Sequence, residues 1–339
     1  MLDQSASCRP LTLVTGATGF VGSAVARTLL GRGHRLRLLV RRGSDRRNVE
    51  GLEAELVEGD LRDAASLGRA VAGCHYVMHV AADYRLWVPD PAAMMQANVD
   101  GTRALLLAAR DAGVRRVVYC SSVAALGLVG DGTPGTEATP VHEEAIVGVY
   151  KKSKYRAEQA VRGLVRDEGV QAVIVNPSTP IGPRDIKPTP TGRMVLDGAA
   201  GRMPAFVDTG LNVVHVDDVA EGHALALERG IVGEAYILGG TDMMLEAILA
   251  EIDDILGRRQ RRVRLPQASL YPVALGMEAA ARVFGIEPMV TREMLAMARK
   301  KMFFSSAKAK AELGYAPRPA RPALADAIAS FRADGRLRA

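Results

Sequence analysis

Aromatic residues make up only 4% of the 339-residue chain. No basic run is interleaved with them to stack successive bases, which argues against nucleic-acid binding. Cysteine is scarce as well. Cys8, Cys74 and Cys120 are odd in number and match no metal-ligand spacing, so neither a disulfide framework nor a metal site is expected and a reducing compartment is the default. No uncharged apolar run approaches the roughly 18 residues of a membrane span. The opening "MLDQSASCRP" lacks a basic stretch followed by an apolar one. A soluble, cytoplasmic protein is the expectation. Internal repeats and low-complexity tracts are absent too.

What is present fits an ordinary globular protein with a sizeable core: 48% of residues are hydrophobic and 24% charged. The net charge of +6 comes from 44 basic residues spread among 38 acidic ones. The short cluster "RRGSDRR", Arg41 to Arg47, suits a single phosphate better than a polyanion. "SLYPVALGMEAAARVFGI", from Ser269 to Ile286, reads as a core or pocket-covering helix, with peripheral contact to a membrane surface as the alternative.

Short β-branched runs alternate with segments of helical period. "LTLVTG", "HRLRLLV", "AELVEGD", "HYVMHVAA", "RRVVYCSS" and "QAVIVNP" read as strands. "GFVGSAVARTLLGRG", "AASLGRAVAG", "AAMMQANVDGTRALLLAARDAG" and about Tyr150 to Glu168 read as helices. Gly31, Gly33, Gly73 and Gly113 stand where helix caps belong. The rhythm predicts an α/β fold, a Rossmann-type doubly wound parallel sheet with six or seven strands by Pro177, and a smaller, mainly helical C-terminal substrate domain. Residues 10–176 form the expected dinucleotide-binding domain, with 211–240 returning to it. Residues 177–210 and 241–335 form the substrate-binding portion. "PSTPIGPRDIKPTPTGRM" is dense in proline and glycine and is expected to be a long loop without regular structure. "NVVHVDDVAEGHALALE" reads as a strand entering a helix capped by Asp217, and Glu246 to Gly257 as a helix.

The first strand runs into "GATGFVGSAVA", with Gly16, Gly19 and Gly22 at the strand-to-helix turn. Gly16 permits the tight turn, Gly19 the approach of a pyrophosphate to the helix N-terminus, and Gly22 close packing. Thr18, Phe20 and Val21 belong to the same loop. After the second strand, where a carboxylate would meet a free ribose 2′-hydroxyl, stand Arg41 and Arg42. They favour the 2′-phosphate of NADP(H), with NAD(H) the other candidate, or they are solvated loop residues. Asp60, beside Leu61, is either an acceptor for the adenine amino group or an ordinary turn aspartate. Val80, Ala81 and Ala82 end the fourth strand with little bulk, leaving room for a cofactor; His79 reads as a buried, hydrogen-bonded core histidine. Ser121 and Ser122 alternate along the fifth strand, so at most one of them points at a substrate.

Tyr150 precedes Lys154 by four residues on one helix face, whereas Tyr155 has Gln159 at the same offset and lacks the cation. A phenol of ordinary pKa near 10 would need to fall by about three units to act as a base near neutrality, about 4 kcal/mol. One ammonium about 4 Å away supplies roughly that much at an effective dielectric near 20.

Together these residues resemble the extended short-chain dehydrogenase/reductase superfamily, which includes NAD-dependent epimerases and dehydratases and the dihydroflavonol-4-reductase-like enzymes. "NPSTPIGPRDIKPTPTG" and "VDTGLNVVHVDDVAEGH" are more narrowly similar to the hopanoid-associated sugar epimerases. The resemblance implies that Ser122 holds the reacting oxygen, Tyr150 exchanges its proton, and Lys154 binds the nicotinamide ribose and lowers the tyrosine pKa. It also implies cofactor contacts from Pro177 and Ser178 and a homodimer. The substrate would be a small sugar-like or nucleotide-sugar hydroxyl or carbonyl compound in a hopanoid-lipid context, held by the loop from Pro177 to Arg193, where Arg184, Lys187 and Arg193 could meet a phosphate. Arg41 and Arg42 depart from the acidic residue usual in the epimerases. The competing functions are an NADPH-dependent carbonyl reductase of the dihydroflavonol-4-reductase type and a non-catalytic dinucleotide sensor.

Overall fold

The computed structural model describes residues 9–85, 90–129, 132–284, 292–298 and 300–337. Cys8, with most of the opening segment, and the end of the apolar stretch at Ile286 lie outside them.

Seven strands form one parallel sheet. They are β1 (Leu11–Thr15), β2 (Arg35–Val40), β3 (Ala54–Glu58), β4 (Tyr76–His79), β5 (Arg116–Cys120), β6 (Ala172–Pro177) and, after three others, β10 (Ala235–Leu238), in the order β10-β6-β5-β4-β1-β2-β3. This is the doubly wound order, reversing between β1 and β4, and a crevice for a ligand opens beyond the carboxyl ends of those strands. Both faces are covered, so the strands are apolar on both sides. Leu13, Val117, Tyr119 and Ile174 pack into one core, while Val14, Val118, Cys120 and Val175 pack into the other.

Helices α1 (Phe20–Gly31), α2 (Ala64–Val71), α3 (Pro91–Met95), α4 (Gly101–Asp111) and α5 (Val149–Glu168) connect the first six strands. The helix expected across 92–113 is thus interrupted: a single π turn at Gln96–Asp100 joins α3 to α4. Gly33, Gly73 and Gly113 take positive φ just past their helices, whereas Gly31 is the last helical residue of α1.

The loop expected after Asn176 is partly regular. It contains β7 (Thr179–Ile181), and its end starts α6 (Pro190–Ala199), because Thr189 caps the amide of Gly192 and Pro190 stands in the first turn, where its missing N–H costs nothing. β8 (Ala205–Val207) follows, then β9 (Gly210–His215), which joins β7 and β11 (Thr241–Met244) in a three-stranded sheet. α7 (Val216–Arg229) packs against α1 and is capped by the His215 ring, which accepts from the Asp217 amide at 3.0 Å. Asp217 is therefore a first-turn residue, not the expected cap; its carboxylate pairs with Arg184. Of 211–240, β10 lies in the main sheet and β9 in the smaller one.

α8 (Leu245–Ile255), β12 (Val263–Leu265), α9 (Tyr271–Phe284), α10 (Arg292–Ala298) and α11 (Ala320–Ala333) complete the chain. α6, α8, α11 and β9 enclose a third apolar core. In α9, Ala274 and Glu278 are buried while Tyr271, Val273 and Leu275 are exposed, so this helix covers the protein with one side only. Among the described residues no helix is long and apolar enough to cross a membrane, and no cluster of potential ligands could hold a metal ion.

Candidate active site

The glycine turn follows from sterics. Gly16 has φ +73°, and a Cβ there would lie 2.7 Å from the Ala81 amide nitrogen. A Cβ on Gly22 would lie 2.1 Å from the Gly16 carbonyl oxygen, so the tightness is internal to the turn. Gly19 caps α1 with extended backbone and no side chain, which leaves the first-turn amides pointing out of the helix. This cradle fits a pyrophosphate. Of the other loop residues, Phe20 is buried in the core and Val21 packs against it, so only their backbone can face a cofactor. The Thr18 carbonyl accepts from Asn48 Nδ2 at 3.2 Å, and the same amide also reaches the Arg184 carbonyl, tying the turn to the loop after β7.

Arg41 and Arg42 lie just past β2, both exposed, and neither guanidinium has a hydrogen bond or ion pair among the described residues. Asp60 is less available than expected. Its carboxylate accepts from Arg62 N, Nε and Nη2, each at 2.9 Å, and these bonds hold its pKa down to about 2. Leu61 packs against Gly101. Val80, Ala81 and Ala82 follow β4 half-buried, with the Ala81 amide donating to Thr15 Oγ1 at 3.1 Å. His79 is fully buried between the hydroxyls of Thr15 and Thr102, and burial pushes its pKa down to about 3. Pro177 ends β6, and the Ser178 hydroxyl donates to the Asn212 carbonyl at 2.8 Å.

The end of β5 and the start of α5 bring Ser122, Tyr150 and Lys154 together. The Ser122 hydroxyl accepts from the Ala124 amide at 3.1 Å and stands near enough to the Tyr150 phenol to lower its proton affinity. Lys154 is buried, its Nζ donating to the Cys120 carbonyl at 2.9 Å and lying 5.5 Å from the centre of the Tyr119 ring. The phenol departs from the expected direction. Burial pushes the Tyr150 pKa up to about 12, the nearby Ser122 hydroxyl acts against that rise, and the ammonium turned toward Cys120 is not among the causes. Burial also lowers the Lys154 pKa, opposed by Cys120 and Glu158.

Three consecutive residues at this strand end are anchored separately. Cys120 is held by Lys154. The Ser121 hydroxyl donates to Glu158 Oε2 at 2.7 Å, so the adjacent serines part as alternation requires. Asn176 Nδ2 donates both to Glu158 Oε2 at 2.8 Å and to the Ser122 carbonyl at 3.1 Å. Glu158, nearly inaccessible, also receives Arg162 Nη2 at 2.8 Å. The sequence reading missed Glu158 and Asn176. Glu158 sits one turn beyond Lys154 on the same helix face, and that spacing was the available signal. Asn98, in the π turn, was missed too: it brackets the backbone of Asp83 and donates to Ser153 Oγ at 2.9 Å, fixing α5 beside Lys154.

Of the loop cations expected to meet a phosphate, Arg184 pairs with Asp217 and Arg193 with Asp197, which leaves the exposed Lys187. Arg184 has φ +73°, held there by Ser330 and Asn48. Next to it Asp185 is buried, with Oδ2 bound to Thr189 and Oδ1 without a partner among the described residues, and burial raises its carboxyl to about 6. Free Cys74 and Cys120 are buried.

Residues 12–239 match the family model described as the NAD dependent epimerase/dehydratase family. A putative dihydroflavonol 4-reductase of Synechocystis is 42% identical over 95% of this chain and 94% of that protein. Sterol demethylase protein B of Methylococcus capsulatus is 35% identical over 96% and 99%. The solved structure of gox2253 is 64% identical and superposes with a TM-score of 0.88, covering 97% of this chain and 100% of that one. With a doubly wound sheet, a glycine cradle and a Ser-Tyr-Lys cluster at its crevice, the chain belongs to the NAD dependent epimerase/dehydratase family and is an enzyme of the extended short-chain dehydrogenase/reductase class.

Proposed function

We propose that this enzyme is an NADP(H)-dependent reductase of a carbonyl group, with Ser122, Tyr150 and Lys154 as its catalytic set and residues 177–210 and 241–335 holding the substrate. The observation that carries the reading is the convergence of Ser122, just past β5, with Tyr150 and the buried Lys154 in the first turns of α5, where Lys154 Nζ donates to the Cys120 carbonyl at 2.9 Å. When bound, the nicotinamide supplies the hydride to the carbonyl carbon. Ser122 orients the carbonyl oxygen, and Tyr150 passes its proton to that oxygen as the alcohol forms. A phenol held at about 12 stays protonated at neutral pH, as a proton donor requires. Lys154, buried with its ammonium at the end of β5, is long enough to reach the ribose hydroxyls of a bound nicotinamide nucleotide.

Arg41 and Arg42, exposed and without a hydrogen bond or ion pair among the described residues, suit a 2′-phosphate, which supports NADP(H) over NAD(H). The relative named as a reductase supports net reduction. Epimerisation of a sugar-like alcohol is the second reading, favoured by the family model, and it would employ the same three side chains. The two differ in coenzyme balance. A reductase consumes one NADPH per alcohol formed, whereas an epimerase leaves the nicotinamide unchanged over many turnovers. Tyr150→Phe is expected to abolish turnover and leave NADPH affinity within about threefold of wild type. Undiminished turnover in that variant overturns the assignment.

A further inference from the structure

The outward side of α9 carries no charge. From Tyr271 to Ala281 the helix has one charged residue, Glu278, which is buried and accepts from Arg292 Nε of α10 at 2.9 Å. Ala274, Glu278 and Ala281, three or four residues apart, mark the side that packs inward. The opposite side presents Pro272, Leu275, Gly276 and Ala279, with Val273 at its edge; Leu275 and Val273 are 55% and 50% exposed. The polarity usual in a surface helix, charged outside and apolar inside, is reversed. The chain enters α9 from a basic stretch. Arg258, Arg259, Arg261, Arg262 and Arg264 fall close together, and no Asp or Glu occurs from Gly257 to Met277. Arg258 and Arg262 pair with Asp253 and Arg264 with Asp208, which leaves the exposed Arg259 and Arg261, neither meeting a carboxylate among the described residues. Val263 of β12, 62% exposed, stands between these arginines and the helix.

We propose that α9 and the arginines before it form a docking surface for an anionic membrane, with Val273 and Leu275 set against the acyl chains and Arg259 and Arg261 against lipid phosphates. The helix lies along the surface and does not cross it: its 14 residues reach about 21 Å, short of the roughly 30 Å hydrocarbon core. Charge decides among the occupants. In a symmetric contact with a second copy the same patch meets itself, which sets arginine against arginine. A nucleic acid would neutralise the arginines and leave the apolar helix face in water. A lipid surface answers both halves, since apolar side chains gain from burial at the headgroup boundary and each arginine is attracted to the negative leaflet.

The test is co-sedimentation of the full-length protein with vesicles of equal parts phosphatidylglycerol and phosphatidylcholine, and with vesicles of phosphatidylcholine alone. Binding to the first should be about tenfold or more tighter than to the second. Raising NaCl from about 0.1 M to about 1 M shortens the screening length from about 10 Å to about 3 Å and should remove most of that difference. Arg259→Ala with Arg261→Ala should weaken binding to the anionic vesicles about 25-fold, from about fivefold per arginine. Val273→Asp with Leu275→Asp should abolish it, while Tm stays within about 2 °C and NADPH affinity within about twofold, because both side chains already face water. Should that pair melt lower, Leu275→Ser alone keeps the fold and should weaken vesicle binding about tenfold. No binding to the anionic vesicles, equal affinity for both compositions, or binding unchanged by either pair of substitutions overturns the proposal. A dimer by light scattering that Val273→Asp with Leu275→Asp converts to a monomer, with no vesicle binding by either form, overturns it as well and gives the face to a second copy.

Discussion

Removing the Glu158 carboxylate tests how the site is held. Its Oε2 accepts from Ser121 and Asn176, its Oε1 from Arg162, and only 3% of the side chain is exposed. Glu158→Ala strands the Ser121 hydroxyl and one Asn176 N–H in a buried space, each worth about 1–3 kcal/mol. Arg162, about a third exposed, regains water and adds little. The expected loss is about 3 kcal/mol, within the range for breaking a buried pair by deleting one partner. For 339 residues the unfolding entropy is about 0.7 kcal/mol per kelvin, so Tm should fall by about 4 °C. Glu158→Gln keeps an oxygen for Ser121 and Asn176 and should recover more than half of that loss. Differential scanning calorimetry measures both. A Glu158→Ala protein melting within about 1 °C of wild type, or a Gln variant no better than Ala, refutes the account. A second readout separates positioning from bulk stability: loss of the carboxylate lowers the Lys154 pKa further, so the alkaline limb of kcat/KM should move to lower pH in the Gln variant.

Other expectations follow from the same geometry. Replacing Arg41 and Arg42 together by Ala should weaken NADPH binding about 10- to 100-fold and NADH binding little, by titration calorimetry; equal losses for both coenzymes would remove the 2′-phosphate assignment. Gly22→Ala, whose Cβ would meet the Gly16 carbonyl at 2.1 Å, should cost about 1–3 kcal/mol in urea unfolding and open the turn; unaltered NADPH affinity would show that the cradle does not need this closeness. Asp185 binds its proton more tightly in the folded chain, about 6 against 3.8, so native stability should fall as pH rises from about 4 to 6 and stay lower by about 3 kcal/mol above that window. Asp185→Asn should remove that decline, and parallel stability curves for the two proteins would refute it.

The alternation of β-branched and helical segments was legible because each element buries its own local pattern, as Val117 and Val118 do on opposite faces of β5. The π turn at Gln96–Asp100 was not legible. Nothing in a hydrophobic period marks one extra residue per turn, and the contact made from that turn, the Asn98–Ser153 bond, spans 55 residues. Likewise "PSTPIGPRD" looked irregular by its prolines, yet β7 forms because β9, more than 30 residues later, supplies its partner. Lys154 was found by spacing, but its distance from a role in lowering the Tyr150 pKa was not, since that depends on the Cys120 carbonyl that claims its ammonium.

By itself, then, the sequence determined the glycine turn, the strand-helix rhythm and the tyrosine-lysine pair. Each is a short-range matter of backbone sterics or helical spacing, decided within a few residues. Only the tertiary structure decided that Ser121 turns to Glu158 and that Glu158 and Asn176 anchor that strand end. Those outcomes depend on which distant segments pack together, and burial then sets both the hydrogen-bond partners and the proton affinities of the groups enclosed.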